Sequence, residues 1–231
     1  MEQAPHFLDS LNFSIGRLHI GTTVLTTWLI MGVLVLVAYF GTRRLSVQTP
    51  SRWQTALEGA VLALRQAIEA VAPEQAERLL SFIGTLWVFI VAANLMGLVP
   101  GFGSPTADLS LTAALAILVF LSTHWFGIRI DGWRVYLRHY LSPNPILLPF
   151  HLLGEVTRTL ALAVRLFGNM MSLEMAALLV LLVAGFLAPV PLLLLHVIEA
   201  LVQAYIFGML ALVYIAGALQ SRVIEKEGSI A

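Results

Sequence analysis

The chain has 231 residues, 59% hydrophobic and 11% charged, whereas a soluble domain is roughly half apolar and about a quarter charged. The 13 basic and 13 acidic residues cancel and there is no cysteine, which leaves no footing for nucleic-acid binding, a disulfide framework or a thiolate metal site. What remains is a membrane protein whose chemistry rests on few polar side chains.

Five segments are apolar over the ~20 residues a spanning helix needs: residues 22–40, 79–99, 109–128, 145–186 and 190–219. The first starts after a mixed segment and is too long for the apolar region of a cleavable signal, so it is expected to be a retained span. Helix is expected throughout, because in lipid each backbone amide must find its partner within its own segment, and strand alternation is absent. The fold class expected is all-α and polytopic, as one membrane domain over residues 1–231, with no internal repeat.

Between the first two spans, Trp53, Leu57, Ala60, Val61, Leu64, Ile68 and Val71 recur every three to four residues, with Glu58, Arg65, Gln66 and Glu69 between them. This predicts an amphipathic helix over 52–72, lying on the membrane interface or packed on the chain's own loops. The turn-rich loop VPGFGSPTADLSLT follows the second span, with Asp108 at the mouth of the third. Asp108 reads either as an entrance charge or as the N-cap of the helix starting at Leu109. His124 and Trp125 are expected at an interface.

The fourth segment is too long for the bilayer. At 1.5 Å per residue it would extend about 63 Å, against a hydrocarbon core of about 30 Å. It must tilt, bend or break, and beyond Pro149 no proline interrupts it before Pro189, so strong tilt against a supporting partner is expected. The fifth segment supplies one side of that support and nothing in the chain supplies the other.

Charge orients the spans. Arg43, Arg44, Arg52, Arg65 and Arg78 lie between the first and second, Arg129, Arg134 and Arg138 between the third and fourth, and Arg222 and Lys226 after the fifth. Arg17 alone lies on the other side. The positive-inside rule then puts the C-terminus in the cytoplasm and the N-terminus outside.

Ionisable residues stand inside the last two segments, among them Glu155, Arg158, Arg165, Glu174, His196 and Glu199, beside Asn169 and Gln203. A charge at mid-bilayer costs from about 2.5 to more than 10 kcal/mol, so such residues face a protein interior or water and read as functional. At 100° per residue Arg158, Arg165 and Asn169 share a face, while Glu174 points about 180° away from Arg165. His196, Glu199 and Gln203 line one stripe. A hairpin turning near Gly185 and Pro189 brings Glu174 level with His196, Asn169 with Glu199 and Arg165 with Gln203. Glu174, His196 and Glu199 read as a protonatable chain, or as interhelical hydrogen bonds. Arg165 stays protonated and acts as a fixed charge. Glu155 lies about 15 Å from it along the axis, with Arg158 as its nearer partner; a partner subunit's carboxylate would satisfy Arg165.

The stretch LALAVRLFGNM at 160–170, followed by Glu174 and by HVIEALVQAYIFGMLALVYIAGAL at 196–219, strongly resembles subunit a of the membrane sector of bacterial ATP synthases. NLMGLVP at 94–100 and PTADLSLT at 105–112 are similar to that family too. The resemblance covers nearly the whole chain. It implies a tilted helical hairpin against a rotating ring of c subunits, reached by two offset aqueous half-channels. It further implies contacts with peripheral-stalk b subunits and the rest of the complex, no cofactor, and residence in a bacterial plasma membrane.

Under the resemblance, Arg165 matches the essential arginine facing the ring carboxylate, Glu174 and His196 match an outer half-channel pair, and Asn169 and Gln203 match polar residues beside the arginine. Glu199 is a further relay candidate. Many relatives carry an acidic residue fourteen positions before the arginine, where this chain has His151, and a proline at the position of Thr159; Ala161 replaces a common serine. The cytoplasmic exit is therefore expected to use His151 and Glu155, next to Arg158. Whether the ion is a proton or sodium is left open. Two rival readings are an intramembrane metalloenzyme using His151, Glu155, His196 and Glu199, and a secondary transporter, which would show duplicated halves.

Overall fold

The computed structural model describes residues 13–15, 18–43, 45–46, 51–99, 102–133, 148–184 and 190–220. Arg17, Arg44, Arg134, Arg138, Arg222, Lys226 and the turn near Gly185 and Pro189 lie outside the described residues. The helices are α1 (Thr22–Thr42), α2 (Arg52–Glu69), α3 (Ala76–Met96), α4 (Leu109–Asp131), α5 (Leu148–Ala184) and α6 (Val190–Gln220). All but α2 contain a stretch long and apolar enough to cross a membrane, so the all-α polytopic class holds. Before α1, β1 (Phe13–Ile15) pairs antiparallel with β2 (Leu18–Ile20), Phe13 opposite Ile20. That small hairpin was not legible, because its strands are too short for alternation to register.

Helix α1 buries only Thr26 and Ile30 and leaves Trp28, Val35, Leu36 and Phe40 exposed. Such an outward apolar surface is stable in lipid and not in water. Hydroxyls within the spans are satisfied locally: Thr27, Ser122 and Ser172 each donate to the carbonyl four residues back, which removes the cost of an unpaired donor in hydrocarbon.

Helix α2 starts where the Ser51 hydroxyl accepts the Gln54 amide at 3.2 Å, an N-cap that satisfies one free donor. The Gln54 side chain in turn clasps both main-chain groups of Ser46, each at 3.0 Å. The predicted apolar stripe divides. Ile68 is fully buried near α3, whereas Val61 and Trp53, which lies beside Gly41 of α1, stay exposed, so the chain covers the stripe only in part. Arg65 joins Glu69 and Glu77, each at 2.7 Å, tying α2 to the start of α3; hydrogen bonding by Glu69 and the nearby charges raise its pKa above the ordinary value.

The core is built by two tight pairs. In α3 against α6, Gly208 faces the Trp87 indole so closely that a Cβ would overlap it, and Trp87 stacks on Tyr205 with centroids 6.0 Å apart. Ala200, Ala204 and Ala211 are buried on the same helix. Small residues let helix backbones approach where the hydrophobic effect gives no drive between helices. In α4 and α5, Leu115, Ala116 and Val119 belong to the same buried cluster as Leu162, Ala163, Leu166 and Met170.

Helix α5 is a single run of 37 residues, about 55 Å long at 1.5 Å per residue. Of the ways to fit the long fourth segment, a break is excluded between 148 and 184. One side of α5 is buried; the other presents Leu160, Val164, Leu179 and Leu182 outward.

Candidate functional site

The polar residues of the last two helices gather at three levels along α5. At its C-terminal half, Glu174 turns inward and its Oε1 accepts the Ser104 amide at 2.5 Å. His196 of α6 is buried, and its Nε2 lies 3.1 Å from the main-chain oxygen of Asn94. A carbonyl only accepts, so Nε2 carries the proton. Gly97, at the end of α3, lets the groups converge: a Cβ there would stand 3.0 Å from the Ser104 Cβ, 3.2 Å from Glu174 Oε1 and 3.3 Å from the His196 ring. Glu174 and His196 are therefore neighbours around one point, as the hairpin register expected.

A buried hydroxyl and amide frame fixes this cluster. Thr106 donates to Asn94 Oδ1 at 2.6 Å, Ser104 Oγ donates either to Thr106 Oγ1 at 2.6 Å or to the Ala93 carbonyl at 3.1 Å, since it has one proton, and the Asn94 amide donates to the Ala200 carbonyl at 3.1 Å. Each member satisfies another, which is the condition for burying polar groups without a large desolvation cost. Asn94, Gly97, Ser104 and Thr106 were not singled out from sequence, although Asn94 is the lone amide within the second apolar segment.

Asp108 closes the same end. Its Oδ1 accepts the Ser110 amide at 2.9 Å, capping α4, and its Oδ2 accepts the Thr23 hydroxyl at 2.6 Å from α1. Burial pushes its pKa up, but the hydrogen bonds from Thr23 and Ser110 outweigh this and leave it below the ordinary carboxylate value.

At the middle level Arg165 is exposed, and among the described residues it makes no hydrogen bond or ion pair. Asn169, one turn on, is partly buried. Glu199 and Gln203 bond each other within α6 at 2.7 Å. The expected meetings of Asn169 with Glu199 and of Arg165 with Gln203 do not form hydrogen bonds: an i, i+4 pair on one helix competes better than a cross-helix contact that needs both side chains to reach.

At the N-terminal level, Glu155 pairs with His124 of α4, Oε2 to Nε2 at 3.3 Å. Expectation gave Glu155 to Arg158 and His124 to the interface. Instead the Arg158 guanidinium sits 5.7 Å over the Tyr214 ring, a cation–π contact that takes it from the carboxylate, while His151 is exposed. Trp125 is exposed. His151, Glu155, His196 and Glu199 do not come together: among the described residues no three His, Asp or Glu side chains form a metal-holding group.

The family model described as ATP synthase A chain matches residues 24–216. The chain is 66% identical over 209 residues to the ATP synthase subunit a 2 of Pelobacter propionicus, covering 90% of this chain and 91% of that one. It is 57% identical over 222 residues to the ATP synthase subunit a of Legionella pneumophila, with 96% of each chain covered. To ATP synthase subunit a of Nitrosospira multiformis it is 48% identical over 204 residues, 88% of this chain and 81% of the other.

Proposed function

Because the chain belongs to the ATP synthase A chain family, we propose that it is the stator subunit that carries ions, protons or sodium, to and from a rotating ring of c subunits in a bacterial plasma membrane. Ions enter from outside at the Glu174–His196 cluster and reach a ring carboxylate past Glu199, Asn169 and Gln203. After the ring turns they leave to the cytoplasm past Glu155, with His151 and Arg158 nearby. The N-terminus lies outside, the C-terminus inside, and peripheral-stalk b subunits hold the chain against the ring. The chain alone makes no ATP; it couples ion flow to synthesis or hydrolysis elsewhere in the complex.

The observation that carries this reading is the exposed Arg165 on an unbroken helix, with protonatable groups on both sides of it. An arginine offered to lipid costs from about 2.5 to more than 10 kcal/mol. A ring carboxylate facing it removes that cost, and the fixed positive charge favours the ionised form. Arg165 thereby releases the ion on one side and bars its direct passage to the other.

Cysteine cross-linking in the assembled complex tests the contact. A cysteine at Ala161, one turn from Arg165 on its face, is expected to form a disulfide with a cysteine beside the ring carboxylate. One at buried Ala163 is not. The reverse pattern would place the ring elsewhere and sink the reading.

A further inference from the structure

The pair His124–Glu155 is not accounted for by packing alone. The His124 Nδ1 lies 2.9 Å from the Phe120 carbonyl, and since a carbonyl only accepts, Nδ1 holds a proton. In the neutral ring Nε2 is then a bare acceptor, and it faces the carboxylate Oε2 of Glu155 at 3.3 Å. Two acceptors at that distance repel unless a proton lies between them. The pair is complete as imidazolium with carboxylate, or as imidazole with carboxylic acid, and both forms hold one proton beyond that on Nδ1.

Both side chains are mostly but not wholly enclosed, with 25% and 22% of their surfaces exposed, while the Oε2 atom that faces His124 is itself buried. The Phe120 ring tilts over the imidazole at 4.3 Å between centroids and fixes its plane. Glu155 precedes Arg165 by about 15 Å along α5, and Glu174 follows Arg165 by about 14 Å. The two protonatable clusters thus stand at nearly equal distances on either side of the arginine.

Among the described side chains, charged or titratable groups on the packed elements include His151 and Arg158, which share the Glu155 side of α5, Tyr214 of α6 beneath Arg158, Arg129 on α4, and Arg78 on α3, which meets α4 where Phe82 packs on Phe126. His151, Arg129 and Arg78 are exposed.

We infer that His124 and Glu155 form a one-proton relay on the cytoplasmic side of Arg165, His124 being a further residue of the ion path. This rests on the proposed role of α5. The step balances simply. The unprotonated pair, with net charge −1, takes one proton delivered through water from the ring carboxylate. The neutral pair then returns that proton to water at the cytoplasmic mouth, with no other bond made or broken.

The test is ATP-driven proton pumping by the complete complex in liposomes. His124→Gln combined with Glu155→Gln preserves a hydrogen bond, amide to amide, but holds no exchangeable proton. It is expected to pump about tenfold or more slower, the scale of lost acid–base assistance. Either single variant leaves one titratable group and is expected to shift the pH profile. The exchange His124→Glu with Glu155→His restores the store and is expected to restore pumping. An assembled double variant that pumps like the parent overturns the proposal. Should the double variant fail to assemble, the exchanged pair decides alone: assembled and pumping supports the relay, assembled and inert overturns it. Arg165→Ala measured in parallel separates the failures, because full coupling in that variant removes the wider reading, whereas its loss beside a normal double variant removes only the relay.

Discussion

Arg165 and Glu174 stand on opposite sides of one uninterrupted helix, about 14 Å apart along its axis, the arginine exposed and the glutamate turned in to the Ser104 amide. One charge is thus offered outward while the other is held by the protein's own frame. Separation on one helix keeps them from neutralising each other, as the proposed roles of Arg165 toward a partner and of Glu174 in an ion path require.

Gly97 sets how closely the Glu174 cluster closes. Its backbone is ordinary right-handed, with φ −63°, so alanine costs nothing there conformationally and acts only through its methyl group against Ser104, Glu174 and His196. Gly97→Ala is expected to assemble and to slow ion conduction by about tenfold, since small misplacements of reacting groups are expensive. Pumping assays with quantified assembly check this.

Gly208 is expected to be a folding position. The overlap of an added Cβ with the buried Trp87 ring forces α3 and α6 apart, at a cost of roughly 1–3 kcal/mol or more. Gly208→Ala should therefore lower the yield of assembled complex, and Trp87→Phe in the same chain should recover part of it. A double-mutant cycle on thermal stability in detergent measures that coupling.

Asp108 gives a pH signature. Its pKa is lowered in the folded protein, so its stabilisation is fully present above the unfolded value of about 3.9 and is lost as pH falls through the lower folded value. Asp108→Ala is expected to cost about 1 kcal/mol near neutrality. Asp108→Asn retains much of the cap and loses the titration, so its stability gap to the parent should close in acid. Melting temperatures measured down through the carboxylate range check the sign.

Much of this was legible in the sequence because the membrane restricts the choices. Length and apolarity identify spans, and the high cost of intramembrane charge makes Arg165, Glu174 and His196 conspicuous. Register brought Glu174 to His196 because one hairpin fixes both. Asn169 and Glu199 form no hydrogen bond with each other, because the flexible carboxylate found Gln203 on its own helix. The pairing of His124 with Glu155 was not foreseen because the partner lies on another helix, and α4 packing on α5 is a tertiary fact that no local pattern carries. Ser104 and Thr106 were hidden in a loop whose turn chemistry explained them sufficiently.

The central claim is that Arg165 guides ring carboxylates and separates the two ion paths. It is tested most directly by ATP synthesis driven by an ion gradient in liposomes holding the complete complex with Arg165→Ala. An assembled complex with that substitution is expected to give no coupled synthesis. Synthesis at the parent rate would contradict it.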